Sequence, residues 1–250
     1  MAEDKIEESV EDRHFGGVAR LYGPVLRERF RNATVVVAGL GGVGSWAAEA
    51  LARTGIGHLV LVDFDHIAPS NTNRQLHALE GEYGKAKVQV MAERILRINP
   101  KITLTPWDAF LEPETLDTII PANAFVLDAT DSVKMKIALA VWATKHQRSL
   151  VMCGAAGGKS DPTSVRCDDL SRTEQDALLA KVRQGLRQDH GFSRNLKKKI
   201  GVRAIYSHEP RAGVATGGLA CSGYGSTVMV TAACGLAAAA EILNLIAGQE

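Results

Sequence analysis

The stretch TVVVAGLGGVGSWAAEALARTGIGHLVLVDFD, Thr34 to Asp65, constrains the fold more than any other part of the chain. TVVVAG is an unbroken, β-branched apolar run, the pattern of a strand covered on both faces. Gly39-Leu40-Gly41-Gly42-Val43-Gly44 completes a G-x-G-x-x-G turn, followed by a helix expected from about Ser45 to Arg53 and closed by Gly55 and Gly57. HLVLVD is the next strand and ends on Asp63. In such a unit the glycines admit phosphate to a helix N-terminus, and the terminal carboxylate reaches ribose hydroxyls. Gly39, Gly41, Gly42, Gly44, Asp63 and the nearby Asp65 are therefore candidate nucleotide ligands. That set suits NAD and ATP equally.

The pattern continues along the chain. FGGVARLYGPVLRERF reads as a short helical region ahead of the first strand. GKAKVQVMAERILRINP sets Val88, Met91, Ile95 and Ile98 on one helical face and stops at Asn99-Pro100. ITLTPW and AFVLDATD are further strands, a helix is expected from about Ser132 to His146, and SLVMCG is a fifth strand. Strands alternating with helices define an α/β, Rossmann-like, doubly wound fold with a mainly parallel sheet. Beyond Gly154 the pattern loosens into short strands, one helix near Glu174 to Arg187 and glycine-rich connections. Residues 154–225 are expected to be a C-terminal substrate-binding elaboration within one domain spanning 13–250, after a mobile tail over 1–12.

Composition narrows the function classes. At 250 residues and 46% hydrophobic, the chain can bury a full core. A net charge of +1 gives no global field, so any nucleic-acid contact must be local. The four cysteines, Cys153, Cys167, Cys221 and Cys234, form no CxxC pair, which argues for reduced cytoplasmic thiols over a zinc ribbon or disulfide framework. Cys234, within an apolar small-residue helix, is expected to be an inert buried thiol, and Cys153, beside the expected active-site edge, is the second choice for a reactive thiol. The polar start lacks the apolar core of a signal peptide. Ser226 to Gly248 is long enough to span a bilayer. It is rich in Ala and Gly and contains Glu241 and Asn244, so a buried helix at a subunit interface is expected, with no stable membrane insertion.

The chemistry lies beyond the glycine turn. Asn71, Asn73, Arg74 and Lys87 follow the second strand, and Asp128 and Asp131 follow the fourth. Hydride transfer asks for fewer charges. Arg and Lys neutralise phosphate, and Asp131 can hold Mg²⁺, so a triphosphate fits. Spacing alone leaves the structural alternatives open, because Lys85 and Lys87 also suit a solvated helix and Asp131-Ser132 also suits a helix cap.

The series GLGGVGS, LVDFD, SNTNRQ, GKAKV, RINP and DATDS resembles the adenylating superfamily of ubiquitin-activating enzymes and bacterial MoeB and ThiF. The resemblance implies that Asp63 binds ribose and that Arg74 and Lys87 grip the phosphates of ATP. It also implies that Asp131 is the Mg²⁺-associated carboxylate and that Arg20, in ARLYG, reaches into a partner's site in a homodimer. Within the superfamily, FGGVARLYG, GSWAAEALARTGIG, NTNRQLHAL, DPTSVRCDDLSRTEQDAL and SGYGSTVMVTA resemble the tRNA threonylcarbamoyladenosine dehydratases almost end to end. One departure is a shorter loop from Pro210 to Ala220. The implied reaction is ATP-dependent cyclisation of the modified adenosine beside the anticodon, with tRNA as partner and a sulfur-transfer protein as a further one. Activation of a small sulfur-carrier protein is the alternative within the same chemistry, and an NAD-dependent oxidoreductase is an alternative outside it.

With tRNA implied, one basic segment gains meaning. Lys181, Arg183, Arg187, Arg194, Lys197, Lys198, Lys199 and Arg203 fall in a stretch whose one acid is Asp189. A solvated helix face explains them by default, and a tRNA-backbone contact explains them better if RNA is the substrate. Arg194, Lys197, Lys198, Lys199 and Arg203 are the expected tRNA ligands.

Overall fold

A computed structural model of the protein describes residues 10–195, 197–210 and 224–248. The first strand, β1 (Thr34–Ala38), is fully buried, as an apolar run without alternation requires. Its residues divide by parity. Val35 and Val37 join one core with Leu51, Met91 and Ile242, while Val36 joins a second with Leu139, Val182 and Ala204. Two cores on opposite faces make the fold doubly wound.

Around β1 the sheet adds β2 (His58–Val62), β3 (Thr103–Trp107), β4 (Phe125–Asp128), β5 (Leu150–Cys153), β6 (Val165–Asp169) and β7 (Arg203–Ser207). Their order is β3-β2-β1-β4-β5-β7-β6, parallel throughout except for β6 against β7. The chain winds outward from β1 to β3 and then crosses back to β4. A crevice therefore opens where β1 and β4 end, with Ala38 beside Asp128.

The expected helices form, with boundaries moved by one to three residues. They are α3 (Gly44–Thr54), α4 (Lys87–Ile98), α6 (Val133–His146) and α7 (Ala177–Asp189), the last capped by Asp176 instead of starting at Glu174. Leu116–Ile119 is a single turn, α5. The N-terminal helical region is two helices, α1 (Val10–Tyr22) and α2 (Pro24–Asn32), broken at Gly23 with φ +83° and restarted by Pro24. Helix α1 therefore begins inside the segment expected as a mobile tail, and positions 1–9 lie outside the described residues.

The C-terminal helix, Val228–Ala247, packs on α3 so closely that a Cβ at Gly235 would lie 2.4 Å from the Val43 carbonyl oxygen. It is long and apolar enough to cross a membrane, but its core-facing side belongs to the first core and Glu241 is paired with Arg203. Met229 and Leu236 remain exposed on it. The departure noted at Pro210 to Ala220 lies, from 211 onward, outside the described residues.

Candidate active site

The crevice at the β1–β4 switch is a cavity of about 620 Å³, and most of the expected nucleotide ligands line it. The glycines differ in what they do. Gly39 holds φ +88°, where a Cβ would lie 2.9 Å from the Ala129 carbonyl oxygen, and a Cβ on Gly44 would strike the Gly39 carbonyl oxygen. These two shape the turn. A Cβ on Gly41 would meet nothing, so Gly41 leaves open space beside the backbone where a phosphate can approach.

Asp63 anchors the other wall. One carboxylate oxygen accepts the Leu40 N–H at 2.6 Å and the other accepts the Asp65 N–H at 2.8 Å. Burial raises its pKa, and the nearby Lys87 charge together with those two N–H groups opposes the rise. Lys87 is buried, 2.7 Å from Asp65 and 4.0 Å from Asp63, so it is not a solvated helix residue. Lys85, by contrast, is exposed and paired with Glu82.

Arg74 lines the cavity, with its guanidinium braced on the Ser70 carbonyl (2.9 Å) and Asn73 Oδ1 (3.0 Å). Asn71 lines it too, while its Oδ1 closes a local turn by accepting the Ala68 N–H. Asn73 reaches the Ser226 carbonyl at 2.7 Å, tying this loop to the start of the C-terminal helix. Asp131 lines the cavity, is exposed and makes no hydrogen bond or ion pair among the described residues. Its neighbour Ser132 caps α6 by accepting the Met135 N–H. The cap and the available carboxylate are thus separate residues.

Other expected ligands stand off the cavity wall, Gly44 and Asn73 among them. Asp128 is fully buried, with one oxygen held by Thr130 and the other 3.1 Å from the equally buried Lys136. It positions the β4 end from below and does not reach the cavity wall. Arg20 is exposed on α1 and absent from this chain's cavity wall. Arg203 is tied to Glu241 and Cys167, at the start of β7, which removes it from the basic loop to which the sequence joined it.

Arg194 and Lys197 to Lys199 are exposed, but the topology sets them away from the cavity. The cavity lies where the parallel strands end, and β7 begins at Arg203 on the opposite edge. Asp169, beside Arg203, accepts the Ile200 and Gly201 N–H groups and pins the basic loop there. A five-residue strand, roughly 15 Å long, separates the two ends.

Sequence reasoning missed the aromatic pair Phe64 and Phe110, which stack at 3.4 Å between centroids on the cavity wall and remain exposed. Phe64 next to Asp63 was the available signal. Cys153 is 1% exposed and burial raises its pKa strongly, so it is no reactive thiol in this state.

A doubly wound sheet with a glycine turn, an acid-ended second strand and Arg, Lys and Asp at its switch point defines a nucleotide-binding protein equipped for phosphate chemistry. The sequence matches the ThiF family over residues 13–250, and the chain belongs to that family. It is 42% identical over 248 residues to the tRNA threonylcarbamoyladenosine dehydratase of Escherichia coli K12, covering 93% of this chain and 92% of that one. The crystal structure of the E. coli enzyme TcdA in complex with AMP superposes with a TM-score of 0.89 at 43% identity, over 95% and 96% of the two chains. Its complex with ATP gives 0.88 at 42%, over 97% of each.

Proposed function

We propose that this protein is an ATP-dependent enzyme that dehydrates threonylcarbamoyladenosine next to the anticodon of tRNA. The observation that carries the reading is the meeting of Gly41, Asp63, Arg74, Lys87 and Asp131 around one cavity. The relatives with AMP and ATP supply its chemical class.

The substrate carboxylate cannot close a ring unaided, because oxide or hydroxide would have to leave. ATP changes the leaving group. The carboxylate oxygen bonds to the α-phosphorus as pyrophosphate departs, and a nitrogen or oxygen of the carbamoyl group then attacks the carbonyl carbon and expels AMP. The net loss is one water. Gly41 gives the phosphates room, Asp63 accepts from ribose hydroxyls, and Arg74 and Lys87 neutralise charge as it moves to pyrophosphate. For Lys87 this means exchanging Asp65 for phosphate, a change available because Asp65 is half exposed. Mg²⁺ would be held by Asp131 through the triphosphate and would screen the same charge. No side-chain nucleophile is needed.

A twofold homodimer completes the proposal, with Arg20 entering the partner's cavity and the exposed face of the C-terminal helix at the interface. The enzyme acts in the cytoplasm, without membrane insertion and with a sulfur-transfer protein as an auxiliary partner. Mass spectrometry of nucleosides from threonylcarbamoyladenosine-bearing tRNA, incubated with protein, ATP and Mg²⁺, tests the activity. Loss of one water from that nucleoside with matching AMP release is expected. Unchanged nucleosides, with AMP formed instead on the C-terminus of a sulfur-carrier protein, would overturn it.

A further inference from the structure

The cavity and the basic loop stand at opposite edges of the sheet, and α7 runs between them. Its N-cap, Asp176, accepts the Leu179 N–H and the Ala155 N–H, and both Ala155 and Leu178 line the cavity. Counting from Leu178 at about 1.5 Å per residue, Arg183 lies roughly 7 Å and Arg187 roughly 13 Å down the helix. The chain then leaves α7 for Arg194 and the three lysines.

Arg183 and Arg187 are one turn apart on the same stripe. The Arg183 guanidinium donates to the Thr173 hydroxyl and, at 3.5 Å, to the Leu170 carbonyl. Arg187 has shielded Nε and Nη2 atoms, and neither finds a partner among the described residues. Burial first, and the Arg187 charge second, lower the Arg183 pKa, in keeping with two cations one helical turn apart. Asp176 also acts on Arg183, but its oxygens are committed to the α7 cap and to Ala155. A shielded guanidinium edge beside a second cation, with no carboxylate hydrogen-bonded to either guanidinium among the described residues, is costly to the folded state. A phosphate matches the guanidinium fork and supplies the missing charge.

We propose that Arg183 and Arg187 form a phosphate clasp on α7 that leads an RNA backbone from the cavity to the basic loop. The proposal rests on the tRNA reading above and explains how lysines a strand's length from the chemistry can serve the same substrate. Arg187 turns out of its shielded site to meet the phosphate, and Arg183 holds the inner side.

The test uses the full chain and Arg187→Met, because Arg187 makes no hydrogen bond or ion pair among the described residues that folding would lose. Without RNA, the variant should melt higher by about 2–4 °C, the shift expected for about 1 kcal/mol in a domain of this size. Its tRNA affinity should fall about tenfold, the scale of one charge-assisted contact, and the slope of log affinity against log salt should flatten by about 0.7–0.9, the value for one phosphate. Arg187→Lys should restore most of the slope. A wild-type protein that dehydrates tRNA, with a variant of equal affinity and slope, overturns the clasp alone. A wild-type protein that neither binds nor dehydrates tRNA overturns the reading beneath it. If inorganic phosphate raises the melting temperature of wild type but not of the variant, while their tRNA affinities match, the site serves free anion and the RNA path is wrong.

Discussion

The two edges of the sheet are built on different terms. At the cavity edge, the turns after β2 and β4 hold polar groups by local bonds: Asp65 N–H to Asp63, Ala68 N–H to Asn71 and Thr130 to Asp128. Longer ties, Leu40 N–H to Asp63 and Asn73 to the Ser226 carbonyl, join the turns to each other and to the C-terminal helix. At the opposite edge, polar groups are fixed by partners far away in sequence, such as Arg203 with Glu241 and Asp169 with the Ile200 and Gly201 N–H groups. Neighbours in sequence are therefore a fair guide to the turns of the first region and a poor guide to the contacts of the second. A motif is readable when its own backbone holds it in place.

Single changes at the cavity edge should separate chemistry from folding. Lys87→Ala and Asp131→Ala should each lower turnover about 10²–10³-fold, the usual scale for one electrostatic stabiliser. Both should fold, since Asp131 has no internal partner among the described residues, Asp65 stays hydrated without Lys87, and the buried Asp63 keeps the Leu40 and Asp65 N–H groups. Circular dichroism and AMP release check the two halves of that statement. A variant that unfolds would mean the edge is structural.

Stability should carry its own signature of the cavity edge. His77 is 1% exposed, and burial, aided by the Lys87 charge, lowers its pKa to about 4. Unfolded, it titrates near 6.5, so below that pH the unfolded chain binds a proton that the folded chain refuses. Stability present above about pH 6.5 should thus drain away toward pH 4, by up to about 3 kcal/mol from this group. Urea melts across that window should show a flatter acid limb for His77→Phe. Equal slopes would assign the loss to other groups.

The glycines sharpen the contrast further. Gly41→Ala should melt within a few degrees of wild type yet bind ATP at least tenfold more weakly, because its Cβ enters open space meant for phosphate. Gly44→Ala should lose folding stability first, since its Cβ meets the Gly39 carbonyl oxygen. Calorimetry and thermal melts together distinguish them. The smallest effect belongs to the opposite edge. Replacing Lys197, Lys198 and Lys199 by Ala should leave melting and the chemistry on a minimal nucleoside unchanged. It should flatten the tRNA salt slope by at most about three times the 0.7–0.9 per phosphate.

Much of the fold was legible because burial on both faces removes ambiguity. β1 read as a covered strand, and β4, α4 and α6 fell where periodicity and capping placed them. The antiparallel turn of β6 was not legible, since VRCDD carries no alternation that marks its direction. At the site, Lys87 and Asp131 were found by pattern and the structure brings them to one cavity. Proximity in sequence groups Asp128 with Asp131, but Asp128 shares the face of Val126 and turns toward the second core, where Lys136, eight residues later, buries with it. Arg203 was grouped with the lysines for the same reason, and only the fold reveals Glu241 beside it.

The central claim is that the cavity activates a carboxylate through the α-phosphate of ATP. It is tested most directly by labelling both threonyl carboxylate oxygens of the tRNA substrate with heavy oxygen and weighing the products. The account predicts one heavy oxygen in the AMP and the other retained in the cyclised nucleoside. Heavy oxygen in inorganic phosphate with release of ADP, or unlabelled AMP beside an unchanged nucleoside, would contradict it.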